Sequence, residues 1–376
     1  MTIETHSSDL QAESALVQMV RTQRVIVMIG SGGVGKTTSA IGIAIAGAKL
    51  GKRVALLSID PAKRLAAALG IPLGHELATV TFPDSANVKG TLRAAMLDQK
   101  AVFDSMVRKH APSPHIADKI LRDPMYLAAA TNLSGPLEYM ALARLQELAE
   151  NPDIDLVVLD TPPDTHALDF LARPNVLSNF LEGKVISKLL KPVIFAGKLG
   201  FSGFAAIGER LLGGVTKLTG FSALRKFGEF IVLMQEVIEG FHASGERVLE
   251  ILRRPSSSFV LLSVPTKAAT RSAEHLGREL AGLGYALDGL ILNRCLPEAV
   301  VNQLAASQSD EVAILRTRAK GEAACSGALV TRLNALPRYD NMWVCRLDDM
   351  EQDLMSVPGI LAFAGEMAEL PRTKKS

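Results

Sequence analysis

The sequence predicts an α/β fold: a mostly parallel sheet covered by helices on both faces, with an inserted helical subdomain. Three observations lead there. Five short apolar runs, Val25–Ile29, Val54–Ile59, Leu156–Leu159, Phe259–Val264 and Leu287–Leu292, alternate with helical stretches. The runs are apolar almost throughout, as strands buried on both faces are. The chain has 376 residues and 48% hydrophobic content, enough for one large domain or a domain with an elaborate insertion. In such a sheet, functional loops sit at the C-terminal ends of the strands. Three of the runs lead there into a polar residue: Asp60, Asp160 and Asn293.

The chain opens on a polar segment, residues 1–20. Met1 to Gln11 contains Glu4 and Asp9 and lacks the basic and apolar regions of a signal peptide. The first apolar run, Val25–Ile29, enters Gly30-Ser31-Gly32-Gly33-Val34-Gly35-Lys36-Thr37-Thr38, and an Ala/Ile-rich helical stretch, Ser39 to Leu50, follows. Strand, Gly-x-x-x-x-Gly-Lys-Thr loop and helix together make a phosphate-binding P-loop. The glycines let backbone N–H groups turn inward around phosphate oxygens, and the helix N-terminus adds its positive dipole end. Lys36 is expected to reach the β- and γ-phosphates and the Thr37 hydroxyl to ligate Mg²⁺. The fold class thereby narrows to a P-loop NTPase. The doublet Gly32-Gly33 suggests the variant loop of dimeric ATPases, yet Ser31 stands where that variant carries a lysine.

Asp60 follows the second run and precedes Pro61-Ala62. Beside the P-loop strand it would face the γ-phosphate and orient or deprotonate the attacking water. It also suits the N-cap of a helix with proline at its first position, and the two roles are compatible. Residues from about 98 to 150 read as several helices punctuated by Pro112, Pro114, Pro124 and Pro136. Leu156-Val157-Val158-Leu159-Asp160 is a hydrophobic strand ending in an acid, the Walker-B pattern, which places a carboxylate near Mg²⁺. Thr161-Pro162-Pro163 then gives a stiff loop able to sense the γ-phosphate. His166 is either a relay or a packed histidine. A second insertion, about 174–254, is rich in Leu, Ile, Phe and Gly. Between Glu182 and Phe227 it carries eight basic residues against two acidic ones. Asn293 ends the last run, where its amide either pairs with a base edge or satisfies its own loop.

Composition excludes several classes. A formal net charge of +2 gives no bulk attraction to nucleic acid. The three cysteines, Cys295, Cys325 and Cys345, are far apart and form no C-x-x-C pair, so neither a disulfide framework nor a zinc knuckle is indicated. No charge-free apolar run approaches the roughly 20 residues of a membrane span. A cytoplasmic protein is the expectation.

These motifs resemble the arsenite-pump/Get-type (ArsA/Get-like) ATPase family of the deviant P-loop class, which also holds the MinD and ParA ATPases. The resemblance rests on Gly30–Thr38, on Ser58-Ile59-Asp60-Pro61-Ala62, on Asp160-Thr161-Pro162-Pro163 with His166, and on Asn293-Arg294. The Asp-Pro-Ala signature separates this family from ParA-like proteins, kinases and GTPases. The run Asp60-Pro61-Ala62-Lys63-Arg64-Leu65, with Ala167-Leu168-Asp169-Phe170 after the second acid, is similar to the actinobacterial Get-like branch.

The resemblance implies Mg-ATP hydrolysis at a face-to-face dimer interface. It makes Lys36 and Thr37 the phosphate and Mg²⁺ residues, Asp60 the catalytic acid of the first switch, Asp160 the residue of the second, and Asn293 with Arg294 the adenine contact. It implies a single ATPase domain over 21–370 with a short tail, 371–376, and helical insertions that bind a hydrophobic client or membrane-associated partner, peripheral at the membrane. The alternative is a MinD/ParA-like positioning or regulatory switch with slow hydrolysis. The arsenite-binding cysteines have no counterpart spacing, and the eukaryotic zinc-binding C-x-x-C is absent, so no zinc site is expected. At Arg64 the family often has asparagine. Ser31 cannot reach across a dimer as the usual lysine does to offset charge in phosphoryl transfer. Three consequences are open: a heterodimer with a homologous subunit that supplies the lysine, a homodimer in which Arg64 or Lys63 substitutes, or slow hydrolysis in a nucleotide-dependent switch.

Overall fold

The computed structural model describes residues 14–59, 64–132, 137–162, 168, 219–307, 309–339, 341–349 and 357–369. Its centre is an eight-stranded sheet in the order β3-β4-β2-β5-β1-β6-β7-β8. The strands are β1 (Val25–Gly30), β2 (Arg53–Ser58), β3 (Ala78–Val80), β4 (Thr91–Met96), β5 (Leu156–Asp160), β6 (Ser257–Ser263), β7 (Gly289–Cys295) and β8 (Trp343–Asp348). All neighbours are parallel except the edge pair β3–β4. The five expected runs are β1, β2, β5, β6 and β7, and they lie consecutively in space. Strand β1 sits between β5 and β6, so the sheet grows in opposite directions from it. That is where an open α/β sheet leaves a crevice at its C-terminal edge.

Alternation within each strand explains why an almost purely apolar run is needed. Val25, Val27 and Ile29 of β1 enter a core on one face, and Ile26 and Met28 enter a core on the other. Both faces are covered, so neither parity can be polar. The first face is closed by α7 (Leu137–Glu150), the C-terminal part of α8 (Thr219–Leu252), α9 (Lys267–Gly282) and α11 (Ala313–Asn334), through Leu145, Val248, Leu276 and Leu333. The second is closed by α1 (Ala15–Thr22), α2 (Lys36–Lys49), α3 (Arg64–Leu69) and α12 (Val357–Glu369), through Leu16, Ile41, Leu65 and Phe363. Helix α1 is capped by Ser14, whose hydroxyl accepts from Val17 N, and buries Leu16, Met19 and Val20. The packed unit thus takes in the last part of the 1–20 segment.

The first insertion is helical: α4 (Gln99–His110), α5 (Pro114–Leu121) and α6 (Pro124–Asn132) precede α7. Asp98 and Ser113 cap α4 and α5, and Pro114 stands at the first position of α5, where its missing N–H costs nothing. These helices form their own apolar cluster with Phe230, Met234 and Val237 of α8. Helix α8 runs 34 residues, about 50 Å at 1.5 Å per residue, and so joins this cluster to the sheet core. Residues 174–218 of the second expected insertion lie outside the described residues. Between β7 and α11, α10 (Glu298–Ala306) packs Leu304 into a small satellite cluster with Leu296 and Ala319. Among the described residues, no helix is long and apolar enough to cross a membrane.

Candidate functional site

The loop between β1 and α2 is shaped by backbone. Gly35 precedes α2 with φ 97°, and a Cβ there would run into Nδ2 of Asn293. At the end of β1, a Cβ on Gly30 would stand 2.6 Å from the Leu262 carbonyl oxygen of β6. Both positions therefore require glycine. Val34 is buried, Ser31, Thr37 and Thr38 are half-buried, and Gly32 and Gly33 are exposed. The loop opens on the N-terminus of α2, whose first N–H groups lack helical partners and favour an anion. Lys36 is the first residue of that helix and only 6% exposed. Its Nζ donates to the carbonyls of Gly30 (2.8 Å) and Ser31 (2.9 Å), which keeps a buried ammonium inside its own loop.

Three elements converge on Asp160. Pairing of β5 with β2 sets Ser58 beside it, and pairing with β1 sets Met28 on its other side. The carboxylate is fully buried. Its Oδ2 accepts from Thr37 Oγ1 at 2.8 Å and from Ser58 Oγ at 2.9 Å, both charge-assisted. The backbone is fixed too: Ile59 N donates to the Asp160 carbonyl at 3.0 Å, and Thr161 Oγ1 donates to the Met28 carbonyl at 2.7 Å. Thr161 is buried and Pro162 half-buried. Thr37 and Asp160 offer the hard oxygen atoms that suit Mg²⁺, a cation that takes one or two protein ligands and fills the rest with phosphate and water. Ser58 is the partner sequence reading did not single out. It stands at the head of the Ser58–Ala62 motif without a role of its own, and its hydroxyl acquires one once β2 is known to lie against β5.

On the far side of the loop, β7 runs past Leu292 to Cys295 with an irregular register between them. Arg294 sits there at φ 56°. Its N–H donates to Asn293 Oδ1 at 2.9 Å, and Asn293 Nδ2 donates to the Val34 carbonyl at 2.9 Å. Asn293 is 7% exposed, while Arg294 is exposed. Cys295 is buried and donates to the Leu292 carbonyl at 3.3 Å, and desolvation pushes its thiol up to about 11, well away from a reactive thiolate.

The structure thus brings together Gly30 through Thr38, Asp160, Thr161, Pro162 and Asn293. Arg64 is exposed at the start of α3. Asp60, Pro61, Ala62, Pro163 and His166 lie outside the described residues. The arrangement is a glycine-rich backbone loop with a lysine at one end of it, a hydroxyl–carboxylate pair at its base and an amide braced against its outer side.

Residues 23–317 match the anion-transporting ATPase family. The chain is similar to an ATPase ASNA1 homolog from Entamoeba dispar, 25% identical over 285 residues that cover 74% of this chain and 78% of that protein. An ATPase GET3 from Malassezia globosa is 32% identical over 173 residues, 45% of this chain and 49% of that protein. A further ATPase GET3, from Lachancea thermotolerans, is 27% identical over 299 residues, 77% of each chain.

Proposed function

Because the chain belongs to the anion-transporting ATPase family and is an ATPase, we propose that it hydrolyses Mg-ATP as a dimer and couples dimer closure to binding of a hydrophobic client or membrane-associated partner. The observation that carries the nucleotide half is the meeting of Thr37, Ser58 and Asp160 beside a loop whose lysine is buried at its own carbonyls.

Gly30 through Thr38 bind the phosphates through backbone N–H groups. Lys36 exchanges the Gly30 and Ser31 carbonyls for phosphate oxygens, a stronger charge-assisted pairing. Thr37 Oγ1 and Asp160 would hold Mg²⁺, which would supply positive charge against the phosphates. Asp60 orients the attacking water and takes its proton. Asn293 and Arg294 meet the adenine. Arg64, Pro61, Ala62, Thr161, Pro162, Pro163 and His166 belong to the two switch segments. The client half rests on the helical cluster joined to the sheet by α8 and on the apolar, lysine-bearing stretch of the second insertion. Residues 21–370 are one ATPase domain on this reading.

Ser31 favours a second reading on one point: without a lysine there, the chain alone hydrolyses slowly, either as a switch or because a homologous partner completes its site. Steady-state ATPase rates of the purified chain, of Ser31→Lys and of Arg64→Ala decide this, with light scattering ± Mg-ATP to read dimerisation. The expected result is a slow wild-type rate raised at least tenfold by Ser31→Lys. A fast wild-type rate that Ser31→Lys leaves alone and Arg64→Ala abolishes would place the missing charge on Arg64 of a homodimer. No ATP-dependent dimer and no hydrolysis in any variant would overturn the proposal.

A further inference from the structure

The amide of Asn293 is spent on the phosphate loop. Its Nδ2 donates to the Val34 carbonyl, 259 residues earlier in the chain, and its Oδ1 accepts from the next residue's N–H. Arg294 follows at φ 56°, a conformation non-glycine residues seldom take. Irregular register in β7 at the same place releases these two residues from the ladder. On the loop side, Gly35 has no Cβ, and the space a Cβ would need is filled by the Asn293 amide. A bulge in β7 and a glycine in the loop thus both leave room for the hydrogen bond from Asn293 to Val34.

That bond has a defined effect on the loop. A trans peptide points its C=O and N–H in opposite directions. With the Val34 carbonyl held by Asn293, the N–H of Gly35 faces away from β7. We propose that Asn293 is a positioning residue for the phosphate loop: it fixes the Val34–Gly35 peptide so that the Gly35 N–H is presented to phosphate before nucleotide arrives. The proposal rests on the nucleotide-site reading above and goes beyond it, because the assigned role there is contact with the base. The two roles are compatible. One amide N–H and one Oδ1 lone pair remain for a base edge.

The probe that separates them is Mg-tripolyphosphate, which has no base. Calorimetry compares tripolyphosphate and ATP for wild type, Asn293→Ala and Asn293→Asp. Aspartate fills the same space but turns an acceptor toward the Val34 carbonyl. Loop positioning predicts that both variants weaken tripolyphosphate, on the order of tenfold, since a buried hydrogen bond is lost in each, and weaken ATP by at least as much. Burial and the facing Val34 carbonyl raise the pKa of the introduced carboxyl, so Asn293→Asp is expected to recover, relative to wild type, as pH falls from about 8 to about 4.5 and the protonated acid donates, while Asn293→Ala does not. Circular dichroism and the melting temperature establish that the variants are folded. Loss of ATP binding with tripolyphosphate affinity unchanged, or no acid recovery in Asn293→Asp, overturns the proposal. Failure of the wild-type chain to bind either ligand overturns instead the nucleotide-site reading beneath it.

Discussion

Ser58→Ala tests how the buried carboxylate is held. Asp160 is fully buried, and its Oδ2 receives one bond from Thr37 and one from Ser58, at 2.8 and 2.9 Å. A hydrogen bond to a charged group contributes about 1.5–3 kcal/mol net. Ser58 is itself 1% exposed, so water cannot replace the lost hydroxyl without opening the sheet edge. The expected loss is therefore about 2 kcal/mol in equilibrium urea unfolding. With a slope of about 3 kcal/mol per M for a chain of this size, the midpoint falls by roughly 0.7 M. The assignment to Asp160 is checked by a double-mutant cycle. In an Asp160→Ala background the serine hydroxyl has lost that acceptor, so Ser58→Ala costs little and the coupling energy is at least about 1 kcal/mol. Equal costs in both backgrounds would show that Ser58 acts through packing alone and would refute the reasoning.

Two further outcomes follow from other contacts. Gly30→Ala places a Cβ against the Leu262 carbonyl, a backbone atom of a central strand that cannot step aside, so a loss of at least about 2 kcal/mol in thermal or urea unfolding is expected, together with weaker nucleotide binding. Glu274, nearly buried, lies between Arg278 and Arg332, and the Arg332 hydrogen bond foremost holds its carboxyl below the ordinary glutamate range. A folded-state pKa below the unfolded one gives stability present above the ordinary value of about 4.3 and lost as pH falls through it toward the folded value. Unfolding midpoints between pH 6 and pH 3 should thus fall more steeply for wild type than for Glu274→Gln. Parallel curves would count against the ion pairs.

How much was legible varied with the kind of pattern. The five central strands declared themselves because each is covered on both faces and must be apolar at every position. The three outer strands did not. Thr91–Met96 mixes alanine with exposed Thr91, Trp343–Asp348 alternates toward solvent, and Ala78–Val80 has three residues. The phosphate loop was legible from local demands alone, since Gly35 and Gly30 are fixed by a positive φ and a close backbone approach within a few residues. Asp160 was legible as an acid ending a strand. Ser58 was not, and the amide of Asn293 proved to be turned on the Val34 carbonyl.

The sequence by itself determined the five central strands, the loop, the helix behind it and the placing of Lys36, Thr37 and Asp160 at strand and helix ends, because periodicity and turn conformation are local properties. Only the tertiary structure decided which of them meet. Ser58 and Thr37 reach one carboxylate across 102 and 123 residues, and Asn293 reaches Val34 across 259. Those meetings depend on β5 and β6 taking the two sides of β1, and strand order is set by how helices cover both faces at once, not by any single segment.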